Sequence, residues 1–132
     1  PKLPPSVIMA CENGTFAMEN PVVSPDDKMI AFELWKVAKS DSRELMGIAV
    51  IPLNLNNATV IRSLKDGEKV PIVVKGRATG PRWSPDGTRL MYQVTNSDGR
   101  RDIWVCGADG KSPINVTKGV GDNFDAEWCP AK

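Results

Sequence analysis

Asp122, Asn123 and Asp125 form the one close acidic cluster in the sequence and would be the natural place for a bound cation. Their spacing argues against it, because a calcium loop needs an Asp-x-Asp-x-Asp-Gly pattern and a distal glutamate to wrap the ion. Asp26 and Asp86 each close a Ser-Pro-Asp triplet, and in such a turn a short carboxylate bonds to its own backbone rather than acting as an acid. Histidine is absent, which removes every Ser-His-Asp or Cys-His arrangement and every metal site built on imidazole. The three cysteines, Cys11, Cys106 and Cys129, lack Cys-x-x-Cys spacing and read as buried or incidental thiols. The residues therefore offer no catalytic group, no metal site and no cofactor, and leave binding as the chemistry open to the chain.

The elements that would carry a binding surface follow from composition and repeats. At 132 residues, 41% hydrophobic and 25% charged, the chain has material for one globular domain. Seventeen basic against sixteen acidic side chains leave a net charge of +1, too little for whole-chain attraction to nucleic acid or an acidic membrane. The longest apolar run, at Ile48 to Leu53, is far short of a membrane-spanning helix. Eleven glycines and eleven prolines favour many short strands joined by turns.

Self-similarity sets the architecture. The segment from Pro21 to Phe32 lies against that from Pro81 to Tyr92, a shift of 60 residues, with four identities (Pro21, Ser24, Pro25 and Asp26 against Pro81, Ser84, Pro85 and Asp86). A third copy begins at Ala126 after a shift of 45 and keeps Trp128 and Pro130. Each unit reads as four strands, a to d. Strand a ends at Val23 or Trp83, and b covers Met29 to Glu33 or Arg89 to Val94. Strand c covers Gly47 to Ile51 or Asp102 to Cys106. Strand d lies near Ala58 to Arg62 or Val70 to Val74 in the first unit, and at Ile114 to Thr117 in the second. In the turn Ser24-Pro25-Asp26 and its copy Ser84-Pro85-Asp86-Gly87, proline presets φ and Gly87 takes positive φ, with Asp27 in the glycine's place in the first copy. Asp109-Gly110 marks a hairpin between c and d.

Units of about 45 residues carrying Trp83-Ser84-Pro85-Asp86-Gly87, the strand Asp102-Ile103-Trp104-Val105, Asp109-Gly110 and a following Trp128 resemble the blades of TolB-like β-propellers. The resemblance departs at Val23, Asp27, Cys129 and Ala131. It implies an all-β fold, a propeller fragment of two four-stranded antiparallel blades with partial blades at both ends. The expected divisions are 1–18 as outer strand of a preceding blade, with Val7 to Cys11 in it, 19–76 as a blade with insertions, 77–120 as a complete blade, and 121–132 as first strand of the next. Closed rings need at least about four blades, so the chain is expected to be completed by the rest of a parent protein or by self-association.

The same resemblance implies a non-enzymatic scaffold binding a protein or peptide partner, in the periplasm or secreted. Its alternative is the accessory propeller of a prolyl-oligopeptidase-like or amidohydrolase-like enzyme whose catalytic domain lies elsewhere. In propellers the d-to-a and b-to-c connections share one face, and loops on a rigid scaffold are where binding concentrates. That face would hold Trp35, Asp41, Arg43, Arg77, Arg100, Asp122, Asn123 and Asp125, with Glu19, Asn20, Thr79 and Arg101 beside them. Trp83, Trp104 and Trp128 recur at fixed strand positions and are expected to pack between blades.

Overall fold

A computed structural model describes residues 16–38, 40, 42–52 and 71–129. Every regular element among them is a strand: β1 (Phe16–Val23), β2 (Met29–Val37), β3 (Arg43–Pro52), β4 (Ile72–Lys75), β5 (Ala78–Trp83), β6 (Arg89–Thr95), β7 (Arg101–Gly107) and β8 (Ile114–Asn115). They pair antiparallel in chain order as two sheets, β1-β2-β3-β4 and β5-β6-β7-β8. This is the all-β, blade-by-blade construction of a β-propeller, with strands a to d of each repeat in sequence. Val7 to Cys11 and Ala58 to Arg62 lie outside the described residues, as do the last three residues of the third copy.

Between its second and third strands the first blade is longer than its repeat partner because the added residues lengthen those strands. β2 and β3 run 9 and 10 residues, where β6 and β7 run 7 each. Leu34 to Val37 continue the ladder opposite Gly47 to Arg43, so the b-to-c connection is a hairpin rather than a long inserted loop. β1 begins at Phe16, paired with Lys36, three residues ahead of the boundary expected at Glu19.

The two Ser-Pro-Asp corners fold identically. Ser24 N–H donates to Met29 O and Asp27 N–H to Ser24 O, both at 2.9 Å; Ser84 N–H to Arg89 O and Gly87 N–H to Ser84 O repeat those distances. The Ser24 and Ser84 hydroxyls accept from Met29 N–H and Arg89 N–H at 3.0 Å and donate to Asp26 at 2.6 Å and Asp86 at 2.7 Å. Each Asp also accepts from the backbone two residues on, which is the local bonding expected of it. Asp27 and Gly87 both take positive φ, 61° and 73°.

Period-2 alternation gives each blade two apolar faces. In the first, Ile30, Phe32, Leu34, Ala49 and Ile51 share a cluster on one side. Ala31, Ile48 and Val50 point to the other, where they meet Ala78, Leu90, Tyr92 and Cys106 of the second blade, with Trp83 and Trp104 against them. Burial within this interface pushes the Tyr92 hydroxyl up to about 12 and raises the Cys106 thiol it faces. Trp83 Nε1–H closes the seam by donating to Val22 O at 3.0 Å. Side-by-side stacking of twisted sheets through such faces is how blades bury area that no single blade can hide.

Asp102, at the start of β7, is buried and ties the second blade's open end. Its carboxylate accepts from Thr117 Oγ1 at 2.6 Å, Gly119 N–H at 2.9 Å, and Asn96 and Asn115 Nδ2 at 3.1 Å. Those donors, Thr117 first, hold its pKa at about 2, and the hydroxyls of Ser84 and Thr88 do the same for Asp86, against an ordinary 3.8. A carboxyl depressed in the folded state contributes stability above its unfolded pKa and loses it as pH falls toward the folded one. The chain's melting temperature should therefore hold from neutrality to about pH 4 and drop between about pH 4 and 2. In the Asp102→Asn variant the drop should be shallower, as read by circular dichroism melts across that range.

Candidate functional site

Between the two blades, at their innermost strands, lies a cleft of about 440 Å³ lined by Asn20, Glu33, Thr79, Arg82, Gln93 and Asp125 among others. Both innermost strands bulge here: the β1-β2 register slips between Glu19 and Val22, and the β5-β6 register between Thr79 and Arg82. The bulged residues Asn20 and Gly80 take positive φ, 50° and 62°, turning backbone and side chains toward the neighbouring blade.

Glu33 is the centre of the cleft. It sits mid-strand in β2, 3% exposed, where a carboxylate survives only if its oxygens are occupied. Oε2 accepts from Asn20 Nδ2 at 2.7 Å and from Gly80 N–H of the second blade at 2.8 Å. Oε1 accepts from Trp35 Nε1–H at 3.1 Å. Gln93 holds the same register in β6: its Nε2 donates to Thr79 Oγ1 at 3.3 Å and its Oε1 accepts from Asp125 N–H at 2.8 Å.

Trp35 carries the cleft outward to the strand-end rim. Arg43 lies over its ring at 5.8 Å and pairs with Glu19 at 2.8 Å, giving a half-exposed aromatic flanked by charge. A second rim cluster belongs to the second blade. Arg101 bonds Asp122 through its backbone N–H at 2.9 Å and its guanidinium at 3.0 Å, lies 4.1 Å over Phe124, and accepts Asn123 N–H at its carbonyl, 2.8 Å. The Arg101 hydrogen bonds hold the Asp122 carboxyl below its ordinary range.

Of the residues expected on this face, Trp35 and Arg43 are brought together, Asp125 reaches the cleft, and Asp122 and Asn123 fasten to Arg101. Arg77 lies exposed before β5, and Arg100 pairs within its own hairpin with Asp98 at 2.9 Å; neither lines the cleft. Asp41 lies outside the described residues. Glu33, Gln93 and Arg82 were not singled out by the sequence reading. The signal was there: Glu33 and Gln93, 60 residues apart, each interrupt an apolar run, Met29 to Leu34 and Leu90 to Val94, and such a residue needs a partner.

No protein-family model matches the chain, and no curated protein matches it. Among solved structures it is similar to a puromycin-hydrolyzing peptidase of Mycobacterium tuberculosis, at 20% identity and a TM-score of 0.56, covering 77% of this chain and 17% of that one. It is also similar to a variant of the AtxE2 isopeptidase with Astexin3-dC4 bound, at 18% identity and a TM-score of 0.52, covering 96% of this chain and 21% of that one. The β-propeller domain of the Trilobed protease from Pyrococcus furiosus aligns at 19% identity over 78% of this chain and 28% of that one, but its TM-score of 0.45 carries no argument. The chain thus spans a small part of each of these three solved structures, and identities this low speak to the fold, which is that of two β-propeller blades.

Proposed function

We propose that this chain is a non-enzymatic, TolB-like propeller segment that binds an extended peptide along the inter-blade cleft and its Trp35-Arg43 rim. The observation that carries the reading is the lining of the cleft, in which the Asn20 and Gln93 carboxamides and the Thr79 hydroxyl stand beside the Glu33 and Asp125 carboxylates and Arg82. Carboxamides and hydroxyls both donate and accept, a set suited to the alternating N–H and C=O groups of a peptide backbone, while an aromatic at the rim suits a peptide side chain. The TolB-like assignment is supported by the repeated Ser-Pro-Asp corner, and the periplasmic or secreted location belongs to that assignment. Immobilised chain exposed to a tryptic digest of casein should retain peptides identifiable by mass spectrometry. Arg43→Ala with Arg82→Ala, both exposed, should reduce retention about tenfold, a loss of about 1.4 kcal/mol, with the melting temperature little changed. Retention that is absent, or indifferent to both substitutions, overturns the proposal.

A second reading is favoured by the fold shared with two peptidases: these blades accompany the catalytic domain of a prolyl-oligopeptidase-like or amidohydrolase-like enzyme. The gene read beyond both ends distinguishes the two, through a Gly-x-Ser-x-Gly elbow or a histidine-rich metal domain. Under this reading the parent protein hydrolyses peptide bonds and the blades alone do not.

A further inference from the structure

The inter-blade cleft continues past the bulges. Where β1 and β5 run into their Ser-Pro-Asp corners, a second groove of about 380 Å³ is lined by Val23, Pro25, Trp83, Pro85 and Trp128. Val22 and Arg82 line both cavities, so groove and cleft form one path along the innermost strands. The groove has fixed walls. Each corner is locked by its Ser-Asp hydrogen bond, and the two corners meet, since a Cβ on Gly87 would lie 3.5 Å from Pro25 Cδ. Trp83 is held by its bond to Val22 O at 3.0 Å. Trp128 is held by its bond to Arg82 O at 3.3 Å and by Arg89, 5.1 Å from the centre of its ring.

The polar groups of this groove are one-sided. Its indole N–H groups are spent on the Val22 and Arg82 carbonyls, and the Ser84 hydroxyl is spent on Arg89 N–H and Asp86. The guanidinium of Arg82 is left, a group that donates and never accepts. It is exposed, and no carboxylate among the described residues pairs with it. Glu127, whose carboxylate also belongs to the lining, is exposed to water. An ordinary peptide stretch brings one N–H per residue, for which the Val22, Arg82 and Ser84 acceptors are already taken. Proline brings a carbonyl and no N–H. A run of prolines holds the left-handed extended helix without internal hydrogen bonds, so its carbonyls stay open to a donor. Its rings suit walls made of indole and pyrrolidine, the way aromatic-lined grooves take such helices.

We propose that this groove is a subsite for a proline-rich stretch, with Arg82 donating to the ligand's carbonyls and the ligand's rings packed against Trp83, Trp128 and Pro25; it rests on the peptide-binding reading of the adjoining cleft and names the class of peptide. The remainder of the bound segment, which carries N–H groups, runs on past Arg82 into the carboxamide- and carboxylate-lined cleft. Both the groove and the proline helix are formed before they meet, which keeps the ordering cost of binding low.

The test is a titration of the chain with a ten-residue proline peptide, beside a Gly-Ser peptide of the same length, followed through the indole N–H signals by NMR. The proline peptide should saturate with a Kd below about 1 mM. It should shift the Trp83 and Trp128 signals and leave that of Trp104, which packs between the blades. The Gly-Ser peptide should bind at least about tenfold more weakly. Pro25→Glu and Arg82→Ala, both at exposed positions, should each weaken binding of the proline peptide about tenfold, and melts of the two variants establish that they fold. Failure of the proline peptide to saturate, equal binding of the Gly-Ser peptide, or indifference to both substitutions overturns the proposal. Retention of proline-free casein peptides by the same chain then assigns that failure to the groove and leaves the cleft reading standing.

Discussion

Replacing Gly110 with alanine should part the two blades at their outer edge. Gly110, in the β7-β8 hairpin, takes φ +84°, and a Cβ there would run into the Val73 carbonyl of β4 in the other blade. The neighbour is backbone held in a sheet, so it cannot swing aside as a side-chain tip would. Positive φ on a non-glycine residue costs about 1–2 kcal/mol, and displacing packed backbone adds a similar amount, so Gly110→Ala should cost about 2–4 kcal/mol. Gly99 supplies the control: it has the same φ, +84°, with nothing near its would-be Cβ, and Gly99→Ala should cost about 1 kcal/mol. Paired urea denaturations of the two variants measure the difference, which belongs to the blade-blade contact. Equal losses would mean that the hairpin and β4 do not touch.

Glu33→Leu is expected to be comparably damaging for a different reason. Leucine fills the strand position with an apolar side chain but strands three donors, Asn20 Nδ2, Trp35 Nε1 and the Gly80 N–H, at a site that is 3% exposed. Each donor left dry costs about 1–3 kcal/mol, less where water reaches it, so a net loss of about 3 kcal/mol follows. Glu33→Gln keeps one oxygen acceptor and should lose roughly half as much. Gln93→Leu, which removes one donor and one acceptor contact at the equivalent place, should lose less than Glu33→Leu. Trp35 reports the change independently, because its indole fluorescence should shift when Nε1–H loses Glu33. A Glu33→Leu chain as stable as the parent would show that the carboxylate is not the strut between blades.

Much of this fold was legible in the chain because its signals are local. The Ser-Pro-Asp corners are set by proline φ and by a hydroxyl and carboxylate reaching two residues along, so the sequence alone placed the ends of β1 and β5 and the starts of β2 and β6. Strands β3 and β7 were visible as apolar runs, though the first-blade hairpin grew longer than expected because Leu34 to Val37 find partners only when β3 is laid beside them. Strand β4 was one of two candidates, since a short outer strand at Ile72–Lys75 carries little pattern of its own.

The cleft was harder to see. Its lining comes from two blades brought together by stacking, and Glu33 meets Gly80 across 47 residues of chain. Loop position gathered Trp35 and Arg43, which the structure sets against each other, and Asp125, which lines the cleft. It also gathered Arg77 and Arg100, which the strand ends direct elsewhere. The bulges at Asn20 and Gly80, which shape the cleft, leave no mark in the sequence beyond a residue tolerant of positive φ before each proline.

Native-state hydrogen exchange at the Gly80 amide and the Trp83 indole tests the stacked-blade arrangement most directly. Both protons cross the seam, to Glu33 and to Val22. They should exchange only when the whole domain unfolds, with the same opening free energy as the amide of Leu90 in the buried interface. Exchange of either proton as fast as the exposed Gly99 amide, while Leu90 stays protected, would mean that the sheets form but do not stack.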